Sequence, residues 1–206
     1  MSANVEDFIR AASEGDENTV LSLLLESKVN INVQNNDGKT ALLVAVSNNK
    51  ESMVSLLLER GADANIKSNT GHTALIVAAI RKYESMVSLL LHRGADVNIY
   101  IQNLIGSTAL KWAVIKNNES MVSLLLDRGA DINIKSINGL TALISAAIDN
   151  KESMVSLLLD RGADINIKSN NGLTALMHAA FRNYESMVSL LLDRGADLNL
   201  SDDVST

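Results

Sequence analysis

A motif that returns at a fixed interval constrains a fold more than any composition does, because each copy must bury its apolar face against its neighbours. In this chain the string Gly-x-Thr-Ala-Leu begins at Gly38, Gly71, Gly106, Gly139 and Gly172, in steps of 33, 35, 33 and 33 residues. Glu-Ser-Met-Val-Ser-Leu-Leu-Leu starts at Glu51, Glu84, Glu119, Glu152 and Glu185. Arg-Gly-Ala-Asp-x-Asn closes each copy from Arg60, Arg93, Arg128, Arg161 and Arg194. Five matching copies in 206 residues describe an array that grows by addition, not a domain closed around one core.

Each part of the copy has a physical reading. The leading glycine belongs in a turn, where positive φ is cheap for glycine alone. The threonine two residues later can cap a first helix by accepting from an orphan N–H. Leu42, Ala45 and Val46 then recur at i, i+3 and i+4 and make one apolar stripe. Asn49, Asn117, Asn150 and Asn183 fall where that helix should stop, and asparagine tolerates the left-handed backbone a stop needs; Lys82 breaks this rule in one copy. The second helix, residues 51–60, opens with an acid and closes with a base, matching the helix dipole. Its polar residues Ser52, Ser55 and Glu59 form one narrow stripe, so the rest must be sandwiched between neighbours. The recurring Met53, Met86, Met121, Met154 and Met187 are expected in that core.

In period and in the order of its parts the chain resembles the ankyrin repeat, over about residues 5–200. The family's Thr-Pro-Leu-His helix start reads here as Thr-Ala-Leu followed by a variable residue, as in Thr40-Ala41-Leu42-Leu43. Alanine is the best helix former, so the start survives without proline. The resemblance implies an all-α repeat solenoid of stacked helix-turn-helix units joined by short β-hairpin-like loops. It implies one domain over 1–206: a capping repeat over 1–35, full repeats over 36–68, 69–103, 104–136, 137–169 and 170–202, and a tail over 203–206. The first repeat is irregular and offers Glu6, Asp7, Arg10 and Glu17 as a polar outer face. The last repeat shows no such adaptation, and an exposed apolar end surface is expected there.

Positions that vary among otherwise matching copies are free of the scaffold, and they cluster at the turn tip and along the first helix. The tip reads Asp37, Thr70, Ile105, Asn138 and Asn171 before the glycine, and Lys39, His72, Ser107, Leu140 and Leu173 after it. Mid-helix the series is Val44, Val77, Trp112, Ser145 and His178; near the helix end it is Asn48, Arg81, Lys116, Asp149 and Arg182. Similar positions in ankyrin proteins line the concave binding surface. The resemblance therefore implies a partner site at Arg81, Tyr83, Trp112, Lys116, Asp149, His72, Ser107, Leu140 and Arg182. Tyr83 and Tyr184 sit between the helices and fit either contact or local packing. Residues 97–105 carry two extra positions, including Tyr100 and Ile101, and read as a longer, protruding hairpin.

The first-helix segments hold Lys50, Arg81, Lys82, Lys111, Lys116, Lys151 and Arg182 against one acid, Asp149, although the whole chain carries a net charge of −6. Two readings are open: a basic face for a partner with an acidic surface, or cations placed to complement helix C-termini.

The remaining features exclude chemistry. There is no cysteine, so disulfides and thiolate metal sites are absent. His72, His92 and His178 fall in separate repeats with no ligand spacing. The acids of the Gly-Ala-Asp element recur in every full copy and read as turn residues. No nucleophile stands with a base, and no glycine loop suits a phosphate. Acidic balance argues against nucleic acid, and no apolar run reaches the ~20 residues of a membrane span. A soluble cytoplasmic binding module without cofactor is the simplest reading, monomeric or weakly associating end to end. The alternative is a structural or assembly element, or a fragment of a longer array, using its uncapped C-terminal end.

Overall fold

The computed structural model describes residues 3–101 and 107–200. Its described residues form twelve helices and no strand. They fall into two compact units, one reaching Ile101 and the other beginning at Gln102. Within each unit the architecture is an all-α repeat solenoid.

The first unit pairs α1 (Ala3–Glu14) with α2 (Glu17–Leu25), α3 (Ala41–Ser47) with α4 (Glu51–Glu59), and α5 (Ala74–Arg81) with α6 (Glu84–His92). The second pairs α7 (Ala109–Ile115) with α8 (Glu119–Asp127), α9 (Ala142–Ile148) with α10 (Glu152–Asp160), and α11 (Ala175–Phe181) with α12 (Glu185–Asp193). First helices stack on one another, α1 on α3 on α5, and α7 on α9 on α11.

The local signals explain these elements. Thr40, Thr73, Thr108, Thr141 and Thr174 are the N-caps of the five regular first helices, each hydroxyl accepting from the backbone N–H three residues on at 3.2–3.4 Å. The helices end in left-handed residues: Asn49, Asn117, Asn150 and Asn183 have φ of 56, 52, 55 and 58°. Lys82 takes the same conformation at φ 62°, so the stop is set by the fold and not by the asparagine. At Gly38, φ is 73°, and an added Cβ would strike the side chain and backbone of Asn69 in the next tip. Tips of adjacent repeats therefore nest too closely for any other residue. The four described tips close through a backbone bond, as from Ser68 N–H to His72 O at 2.9 Å, and no ladder of strands extends from them.

The core is the expected aliphatic one. Met53, Met86, Met121, Met154 and Met187 are all fully buried. The first repeat buries Phe8, Ala12 and Val20, while Glu6 and Arg10 are exposed and Asp7 bonds Arg10 at 2.6 Å. Asp16 caps α2 through Thr19, whose two hydrogen bonds hold the carboxyl below its usual range.

Polar ladders bind successive repeats within each unit. Asn32 and Asn65 Oδ1 accept from the N–H of Asp63 and Asp96 at 2.9 and 2.8 Å; Asn133 and Asn166 accept from Asp164 and Asp197 at 3.0 Å each. On the second helices, Arg93 pairs with Glu59 at 3.2 Å, Arg161 with Asp127 at 2.9 Å and Arg194 with Asp160 at 2.7 Å. The recurring Asp and Arg residues are thus part of the scaffold.

Candidate partner-binding site

The variable residues sit on the tips and first helices, with the repeated core behind them. In the first unit, Arg81 is exposed at the end of α5, and Tyr83 is half-buried at the N-cap of α6. His72 is half-buried in its tip, with Thr70 Oγ1 2.9 Å from its Nδ1; burial lowers the pKa of its imidazole and favours the neutral form. A hollow of about 240 Å³ lies between adjacent tips and first helices, lined by Lys39, Leu43, Ser47, Ser68, Thr70, His72, Val77, Ile80 and Arg81.

In the second unit, Trp112, Lys116 and Leu140 are half-buried, while Asp149 and Arg182 are exposed. Asp149 is held by Lys151 at 2.9 Å. A hollow of about 370 Å³ is lined by Asn138, Leu140, Ile148, Asn170, Asn171 and His178. A second, of about 590 Å³, is lined by Asn171, Leu173, His178, Phe181 and Arg182. Burial first and Arg182 second lower the pKa of His178. Its Nε2 and the Nε1 of Trp112 are buried atoms with no hydrogen-bond partner among the described residues. These two side chains share one position of the repeat.

Some expected residues are placed otherwise than a surface reading requires. Ser107 is buried, its hydroxyl unpartnered among the described residues, and it presents no surface. Of the seven cations counted for the basic face, two are committed internally. Lys111 is buried at the position that holds Leu43, Ile76 and Ile144 in other copies, with Nζ 3.0 Å from Leu140 O. Burial lowers its pKa to about 8. Lys151 donates to Val114 O at 3.1 Å and Ile115 O at 2.9 Å, capping the end of α7. That is the helix-complement reading realised at one position. Of the longer loop, Tyr100 is exposed and Ile101 buried; Ile105 and the rest of the insertion lie outside the described residues.

The hollows of 370 and 590 Å³ meet at His178, a residue that the mid-helix series contains but that the expected contact set omits. Its variation among copies was the available signal. Among the described residues no group of three His, Cys, Asp or Glu is arranged to hold a metal. No helix among them is long and apolar enough to cross a membrane.

Capped helix pairs, stacked through apolar helices and nested tips, define a helical repeat protein whose differences are displayed on one side of each repeat. The family model for ankyrin repeats (3 copies) matches residues 8–101 and 110–202, and the chain belongs to the ankyrin repeat family. Among solved structures, it is similar to the ankyrin repeat domain of Bcl-3, a unique member of the IkappaB protein family. That match has 31% identity and a TM-score of 0.87, covering 95% of this chain and 89% of that one. It is also similar to a chain in the structure of the Bd0816 predatory endopeptidase from Bdellovibrio bacteriovorus in complex with immunity protein Bd3460. That match has 28% identity and a TM-score of 0.80, with 91% and 97% covered. A search of curated protein sequences finds no match. Ankyrin repeats are in general modules that bind other proteins.

Proposed function

We propose that this chain is a non-catalytic module that holds a partner protein against the tips and first helices of its repeats. The observation that carries this reading is the pair of hollows, about 370 and 590 Å³, that meet at His178 on the tips and first helices, where the copies differ from one another. Tryptophan is also enriched where a few residues carry most of an interface's binding energy. Exposed Arg182, with half-buried Lys116, favours an acidic surface on the partner. No cofactor or reaction enters this account, and the fold is one generally put to binding.

Affinity capture from lysate with the wild type and with Trp112→Ala/His178→Ala tests the reading. The expected result is a partner protein whose affinity falls about tenfold or more in the variant, with helix content by circular dichroism unchanged. Equal binding by both would contradict this face. Lys116→Ala with Arg182→Ala should weaken capture further at low salt than at high salt.

A further inference from the structure

We infer that the first unit recognises a polyproline II segment of a partner protein, one that presents a basic side chain to one hollow and an acidic side chain to the next. This rests on the reading that a partner lies against the tips and first helices, and it adds which charges that partner brings and in what order.

The hollow of about 240 Å³ has a neighbour of about 420 Å³ between the first and second repeats, and α3 is the wall they share. Val44 lines the hollow before α3, while Leu43 and Ser47 line the hollow after it. Corresponding repeat positions return in both: Ile9 and Leu43, Ser13 and Ser47, Val44 and Val77. The floors are aliphatic in each, and what differs is the charge around them. On the hollow before α3 stand Glu6, Arg10 and Asp37. Arg10 is bound to Asp7 at 2.6 Å and Asp37 to Lys39 at 3.4 Å, which leaves Glu6 unbalanced. On the hollow after α3 stand Lys39, already bound to Asp37, and Arg81, which is left unbalanced. His72 adds no charge there at neutral pH, because burial lowers its pKa. Glu6 and Arg81 are both exposed. The ends of the first helices follow the same order, with Glu14, Asn48 and Arg81 at corresponding places. The unit therefore runs from acid to base along its repeats, and the complementary segment runs from base to acid.

The spacing selects the form of that segment. Packed helices lie about 10 Å apart, and the two hollows repeat at that interval. A polyproline II chain rises ~3.1 Å per residue with three residues per turn, so side chains three apart share one face about 9 Å apart. A β-strand would send residues three apart to opposite faces. The aliphatic stems of lysine, arginine or glutamate can lie on the floors while their charges meet the rims.

Fluorescence anisotropy with labelled proline-rich peptides tests this. The peptides differ at two positions three residues apart, carrying Lys with Glu, Lys with Lys, or Glu with Glu, and a remote tail brings all three to one net charge. The wild type should bind the mixed peptide about fivefold more tightly than either like-charged peptide at low salt. Glu6→Lys should move the preference to the Glu–Glu peptide, and Arg81→Glu to the Lys–Lys peptide. Circular dichroism should be unchanged in both, since both side chains are exposed. Equal binding of the three peptides, binding of none at millimolar concentration, or a preference that neither swap moves would overturn the inference. Lysate capture that still depends on Trp112 and His178, which lie in the second unit, would show that the failure is of this inference alone.

Discussion

Lys111 is the residue whose chemistry departs furthest from its sequence position. It occupies a core position, and burial brings its pKa from 10.5 to about 8. The folded state therefore holds this proton less tightly than the unfolded chain does. Below pH 8 the amine is charged in both states, and the burial penalty is fully present. Between pH 8 and 10.5 the folded form has released its proton while the unfolded form still binds one, so stability rises with pH. At about 1.4 kcal/mol per pKa unit, discounted for the carbonyl bond and residual solvation, Lys111→Leu should stabilise by ~1–3 kcal/mol at pH 7. Urea denaturation at pH 7 and pH 10 should show the wild type gaining stability relative to the variant. A constant difference would show that the amine is not held in the core. Lys82 offers a second test. Its left-handed φ of 62° costs a residue with a Cβ about 1 kcal/mol that glycine does not incur. Lys82→Gly should raise the denaturation midpoint, and any drop would mean that the lysine side chain contributes more than the strain removes.

At the scale of the element, the second helix has an apolar core and a charged ladder along one side, and the two are unequal. Met154 is fully buried, and its truncation to alanine should cost about 2–5 kcal/mol. The Arg161–Asp127 pair is largely exposed, and Asp127→Asn should cost no more than ~1 kcal/mol. Equal losses in a side-by-side urea titration would contradict this ranking. The elements themselves were legible in the sequence because each copy repeats the same local instructions. A threonine cap, an apolar stripe and a left-handed stop recur at each of the five regular first helices. What could not be read were the departures from the pattern. Lys111 falls where other copies carry Leu43, Ile76 and Ile144, so its register in the repeat points to the core although its charge does not, while the burial of Ser107 depends on the residues stacked beside it. Lys151 reads as a surface cation, yet it reaches back 36 and 37 residues to cap α7. The orphaned atoms of Trp112 and His178 are likewise a property of packing between copies.

At the scale of the whole molecule, repetition separates two tasks. The recurring residues build the scaffold, and the varying ones are free to recognise. Hydrogen–deuterium exchange of the chain, alone and bound to its captured partner, tests that division most directly. The account predicts that binding slows exchange in tips and first helices, around residues 69–81, 107–115, 138–148 and 171–181, and leaves the second helices α8 and α10 unchanged. Protection confined to the second helices, or absent from every first helix, would contradict it.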